Sequence, residues 1–240
     1  MTAIDDLIML AELCRDVYMH TSTTESLGIV AMHDFASGSD YGCVYVGADS
    51  LFITIAGSDD ALDWLSNFRA LARDDWYGIR AHRGFVQGAR SIELAALKII
   101  DKYPGYDLVF TGHSRGGAIA LLLAIAAEHH HKHKVSRCVT FSQPRLSSGR
   151  QIRLAYRYGQ YIRVVNGSDA VARWPKVGYG HAGTELYITN RDDGYLIDPS
   201  GWQRLVDRAM TLFQRAKDHT ISDVIRELHK CKNWLLSQRC

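Results

Sequence analysis

Long apolar runs, paired cysteines and an excess of charge of either sign are all missing from this 240-residue chain. The longest unbroken apolar stretch, Ala118–Ala127, is about half of what a bilayer span needs and reads as a buried helix, so no transmembrane segment is expected. The N-terminus, Met1-Thr-Ala-Ile-Asp-Asp, carries acids where a secretory leader would place Lys or Arg. The five cysteines (Cys14, Cys43, Cys138, Cys231, Cys240) form no CxxC pair and are odd in number. They read as reduced thiols of a cytoplasmic protein, with export by another route left open. Lys+Arg 28 against Asp+Glu 26 leaves a net charge of +2, without the basic surplus that nucleic-acid-binding domains gather on one face. Neither a fixed-period repeat nor a Pro/Ser linker divides the chain, and its 47% hydrophobic content suits one core, so residues 1–240 are expected to form a single domain.

What is present alternates. Ile4–Tyr18 has helical spacing, and Tyr41–Gly47 with Leu51–Ala56 reads as an antiparallel hairpin. Gly84–Tyr103 is helical and stops before Pro104-Gly105. Then follow a strand (Asp107–Thr111), a helix (Gly116–His130), a strand (Val135–Phe141), a helix (Arg150–Tyr158), a strand (Tyr161–Val165), an edge strand (Glu185–Thr189) and two helices (Leu205–Ala216, Ile221–Leu236). Strands alternating with helices predict an α/β fold, a central mostly parallel sheet with helices on both faces.

The most informative segment is Leu108–Leu122, LVFTGHSRGGAIALL. A strand runs into Gly112-His113-Ser114-Arg115-Gly116 and a helix follows at once, which is G-x-S-x-G in the strand–turn–helix setting its chemistry requires. Glycines at 112, 116 and 117 let the backbone turn sharply, and Ser114 stands beside helix N–H groups that favour developing negative charge. The bland alternative is a chance match in a loop, against which the flanking strand and helix weigh.

A serine needs a base, and the base needs a group that holds its tautomer. Asp169 fits the acid, in the turn Asn166-Gly-Ser-Asp169 just past the strand YIRVV, although an Asp there could simply cap an Asx turn. For the base, His229 lies within a helical pattern on its solvated side. His219 precedes the last helix, with Thr220 or Ser222 as its cap, and is favoured, while His181 in the loop GYGHAG is the fallback.

From about Tyr41 to His219 the ordered segments resemble the class 3 lipases, the fungal triacylglycerol lipase-like branch of the α/β-hydrolases. The matching pieces are LFITIAGSDDALDWLSNF, HRGF, TGHSRGGAIA, TFSQPRL, VVNGSDAVARWP, HAGTELYI and Asp218-His219. The resemblance implies an α/β-hydrolase fold, Asp169 as the acid, His219 as the base, and an oxyanion hole from Ser58 and the backbone N–H of Arg115. A capping role for Ser58 at a helix around Leu62–Phe68 is compatible with this. The chain departs from the family at Ile55-Ala56, where Phe-Arg is usual, at Ser142 and Ser147-Ser148, and at Arg115, where leucine is common. The Arg115 side chain is expected either to make a structural ion pair or to favour an anionic substrate.

Two further stretches call for a reading. Asp59–Tyr77 is amphipathic, through Leu62, Trp64, Leu65, Phe68, Leu71 and Trp76, and reads equally as a lid over an acyl groove, with transient lipid-surface contact, or as core packing. The cluster Glu128–Lys134 (EHHHKHK) reads as a solvated helix end and not as a metal site, because adjacent histidines do not converge and the lysines repel a cation. The expected activity is hydrolysis of lipid or small carboxylic esters through an acyl-enzyme, without cofactor or metal. The competing readings are a phospholipase A1, a small-ester esterase, and a lipase-like scaffold that binds without turnover.

Overall fold

The structure is a computed structural model that describes residues 4–19, 27–57, 72–156, 160–167, 169–189, 194–210 and 219–237, with the side chains of 208–210 outside that description. Helix α1 (Ile4–Met19) leads into three strands, β1 (Ala31–Ser37), β2 (Asp40–Val46) and β3 (Ser50–Ile55). A small hairpin, β4 (Arg73–Trp76) and β5 (Ile79–His82), runs into α2 (Arg83–Ile100). The alternating half follows as β6 (Asp107–His113), α3 (Arg115–His129), β7 (Val135–Phe141), α4 (Gly149–Ala155), β8 (Gln160–Asn166), β9 (Thr184–Ile188) and β10 (Tyr195–Ile197). Helices α5 (Gly201–Met210) and α6 (Ile221–Ser237) come last.

Eight strands form one sheet in the order β1-β2-β3-β6-β7-β8-β9-β10, and β4-β5 form a second. Strands β3, β6, β7, β8 and β9 run parallel, and antiparallel strands flank them on both sides. Register sorts the side chains between the two faces. The row Ile53–Phe110–Cys138–Tyr161 faces the core shared with α2 and α3. The next row places Val139 on the opposite face, where α1 and α6 pack together. Helix α3 buries every residue from Gly116 to Ala127, as expected of a helix apolar on all sides. Truncating a ring such as the buried Phe110 to alanine costs about 3–5 kcal/mol in a core of this kind.

Several boundaries differ from the sequence reading. Strand β1 is an addition: its half-polar residues make a largely solvated flank on β2, so no apolar run announces it. Glu185–Thr189 is not an edge, because β10 pairs outside β9 through Leu186↔Ile197. Helix α5 starts at Gly201 rather than Leu205, and the continuation to Ala216 lies outside the described residues. Of the stretch read as lid or core packing, 59–71 also lies outside them, and at its far end Trp76 packs in the core: it is buried in β4, and its indole N–H donates to the Leu122 carbonyl at 2.9 Å. That end packs on α3 and is fixed to the body. Among the described residues no helix is long and apolar enough to cross a membrane.

Candidate active site

The elbow forms because β6 and α3 meet without a linker. Ser114 holds φ 55° and ψ −127°, a conformation that strains any residue with a Cβ. A Cβ on Gly112 would lie 2.5 Å from the Gly116 carbonyl carbon, and one on Gly116 would run into the Ile55 carbonyl. Only hydrogen at both positions lets strand, turn and helix close this tightly. The turn is tied down by Ser114 N–H donating to the Phe141 carbonyl at 2.9 Å and Gly117 N–H to the Ser114 carbonyl at 3.1 Å.

The turn after β8 places Asp169, whose N–H donates to the Asn166 carbonyl at 3.0 Å. Its buried carboxylate accepts the Val171 N–H at 2.9 Å through Oδ1. His219 comes from the other side, immediately before α6. Thr220 caps that helix by accepting the Asp223 N–H at 3.1 Å, which sets the direction in which the histidine leaves it. His219 Nδ1 lies 3.1 and 3.0 Å from Asp169 Oδ1 and Oδ2, and Nε2 lies 3.0 Å from Ser114 Oγ. A carboxylate only accepts, so Nδ1 carries the proton and Nε2 is left with a lone pair facing the serine hydroxyl.

Two residues that sequence reasoning passed over complete this arrangement. His113 fills the open position before the serine, is buried, and donates from Nε2 to the His219 carbonyl at 2.6 Å. Its Nδ1 is therefore an acceptor, and the Tyr18 hydroxyl at the end of α1 donates to it at 3.2 Å. Burial first, then the neighbouring His219, pushes the His113 pKa down to about 3, so the ring stays neutral and keeps this orientation. A histidine beside the nucleophile was the available signal; Tyr18, 95 residues away, gave none.

Of the other expected residues, Arg115 supplies the first N–H of α3, a group without an acceptor inside the helix. Its side chain turns away from the serine to Asp40, Nη1 to Oδ1 at 2.5 Å, so the structural ion pair is what forms. Ser58 and the helix around 62–68 lie outside the described residues. Gly57 just before them packs against the elbow, where a Cβ would meet the His113 carbonyl at 2.8 Å. His181 is turned elsewhere and donates to the Ala172 carbonyl at 2.6 Å, while His229 is exposed on α6. The histidines after α3 separate to individual partners: His131 to Glu93 at 3.2 Å, His133 to Asp101 at 3.3 Å, and His130 stacked on Tyr77. Among the described residues no group of three or more His, Cys, Asp or Glu could hold a metal ion.

A mostly parallel sheet covered on both faces, with a serine on a strained strand-to-helix turn, defines the α/β-hydrolase fold. A model of the class 3 lipases matches residues 52–179, and the chain belongs to that family. It is similar to a lipase of Rhizomucor miehei, 29% identical over 187 residues that cover 72% of this chain and 51% of that one. It is also similar to phospholipase A1-II 1 of Oryza sativa subsp. indica, 29% identical over 141 residues that cover 57% and 35%. Thus the chain spans about half the length, or less, of these relatives. Among solved structures, a lipase from Rhizopus microsporus var. chinensis superposes with a TM-score of 0.74 at 19% identity, covering 91% of this chain and 87% of that one. A triacylglyceride lipase of Rhizomucor miehei gives 0.72 at 24%, covering 90% and 92%.

Proposed function

We propose that this chain is a serine carboxylic-ester hydrolase, a lipase acting on acylglycerol or related lipid esters. The observation that carries the reading is the line of hydrogen bonds from Asp169 through His219 to Ser114, with both links at 3.0 Å. His219 Nε2 takes the proton as Ser114 Oγ attacks the acyl carbonyl, and Asp169 stabilises the imidazolium that results. The N–H of Arg115, with Ser58 as its partner, receives the oxyanion, each donor being worth roughly 3 kcal/mol in sites of this kind. His219 then protonates the leaving alkoxide, and water repeats the sequence on the acyl-enzyme.

A second reading, phospholipase A1 activity on the same three residues, is favoured by the rice relatives that carry that name. Family membership does not choose between head groups. Reading residues 1–240 as one domain rests on the single large sheet against which α1, α2, α3 and α6 pack. A reducing, cytoplasmic setting is part of the proposal, supported by Cys14, Cys43 and Cys138 being buried free thiols.

Purified protein is first labelled with a fluorophosphonate, then assayed on a chain-length series of p-nitrophenyl esters beside a triacylglycerol and a diacyl phospholipid. Covalent labelling at Ser114 and turnover of the acylglycerol are expected. Unlabelled serine in folded protein would mean a binding scaffold, and phospholipid turnover alone would move the assignment to phospholipase A1.

A further inference from the structure

Behind the turn that carries Asp169, a cavity of about 320 Å³ opens beside β8 and β9. Four guanidinium groups line it, from Arg145, Arg163, Arg173 and Arg204, together with His181. Glu185 is the carboxylate among its described lining residues, and both of its oxygens are engaged. Arg163, buried, donates from Nη1 to Oε2 at 3.0 Å, and Arg204 donates to Oε1 from Nη2 at 2.9 Å and Nε at 3.1 Å. Arg163 also donates from Nε to the Ala182 carbonyl at 2.8 Å, and Arg173 Nε reaches the Asp169 carbonyl at 2.9 Å. Arg145 is placed differently: among the described residues its side chain makes one long bond, from Nη1 to the Pro175 carbonyl at 3.4 Å, and its Nε is buried without a partner.

A buried N–H of a cation with nothing to receive it is costly, and like charges sharing a cavity raise that cost. Neutral His181 cannot offset them. It donates from Nε2 to the Ala172 carbonyl, and burial followed by the charge on Arg163 pushes its pKa down to about 3. The same field acts on Arg145, whose pKa is lowered by burial and then by Arg163 and Arg204. A planar fork such as that of Arg145, with Nε unpartnered and Nη1 in a long 3.4 Å bond, suits an oxyanion in two-point contact.

We propose that this cavity is a binding site for a small oxyanion, a phosphate or carboxylate head group, with Arg145 as its principal ligand. The site is distinct from the esterolytic centre. The carboxylate of Asp169 faces His219, whereas its main-chain carbonyl receives Arg173 from the cavity side. An anion bound there would adjoin the turn on which Asp169 is carried, without touching Ser114. Phosphate and carboxylate share the geometry, so the source is decided by experiment.

The full chain is titrated with inorganic phosphate, with butyrate and with chloride at matched ionic strength, and followed by calorimetry and by melting temperature. Saturable binding of phosphate or butyrate, with a rise in Tm that chloride does not reproduce, is the expected result. Tighter phosphate marks a phosphorylated ligand, and tighter butyrate marks a carboxylate such as the acid that ester cleavage releases. Arg145→Gln is expected to weaken binding about tenfold or more, roughly 1.4 kcal/mol, with R145K intermediate because it keeps the charge and loses the fork. Absence of saturable heat in the wild type, a response equal to that of chloride, or unchanged affinity in both variants would overturn the proposal. Should R145Q not fold, the wild-type titration and R145K still decide it. The readout is binding and does not depend on whether the chain hydrolyses esters.

Discussion

Replacing Asp169 with asparagine removes one charge while keeping the shape of the side chain, and the surroundings dictate how the amide must sit. Val171 N–H needs an acceptor at the Oδ1 position, where it now bonds at 2.9 Å. The amide oxygen therefore stays there and the NH2 takes the place of Oδ2, 3.0 Å from His219 Nδ1. Two donors cannot face each other at that distance, so the imidazole moves its proton to Nε2. The residual contact of Nδ1 with Oδ1 at 3.1 Å is already shared with Val171 and does not reverse this. Nε2 would then donate to Ser114 Oγ instead of accepting its proton, and the base is lost. The matching exchange in serine protease triads lowers kcat about 10⁴-fold, which corresponds to roughly 5.5 kcal/mol of transition-state stabilisation. The assay is kcat/KM on p-nitrophenyl butyrate near neutral pH, with a thermal melt to establish that the variant is folded. A folded variant that keeps more than about a tenth of wild-type activity would refute the reasoning, since a wrong tautomer cannot be that active.

The remaining expectations test other parts of the argument. Ser114→Gly should abolish fluorophosphonate labelling and yet raise stability by about 1 kcal/mol in urea melts, because glycine tolerates the positive φ that serine endures. Tyr18→Phe removes the hydroxyl that bonds His113 Nδ1 and helps hold that ring against the His219 carbonyl, and kcat/KM should fall about threefold to tenfold with little change in KM, the scale of one hydrogen bond. His113 and His181 have pKa values pushed down to about 3 in the folded protein, against about 6.5 for an ordinary histidine. As pH falls between those values the unfolded chain binds more protons, so stability is lost across that window, and His181→Asn should flatten the slope by one proton in denaturant titrations. Arg115→Leu should leave the ratio of kcat/KM on neutral and anionic esters unchanged, because the guanidinium is held by Asp40, and steady-state kinetics on a matched ester pair measure it.

Short-range requirements were readable directly. The glycines of the elbow were legible because Gly112 and Gly116 meet backbone only a few residues away or on the adjoining strand end. The apolar period of α2 and the unbroken apolar run of α3 announced helices for the same local reason. Family resemblance supplied the choice of Asp169 and His219, which periodicity alone had left open between two histidines. Strands β1 and β10 were missed because each is short or half-polar and becomes a strand only by pairing with its neighbour.

What depends on the residues alone is therefore the alternation of strand and helix, the sharp turn at Ser114, and the types of side chain present. Which of these meet was decided by tertiary structure. His219 reaches Ser114 across 105 residues while His181 turns to Ala172, and Arg115 finds Asp40 from 75 residues away. The arginines beside β8 and β9 likewise come from separate segments and share one cavity only when the sheet is assembled. The physical reason is that a side chain's chemistry is set by the partner and the water that surround it. Long-range packing chooses both, and no pattern of neighbours along the chain encodes them.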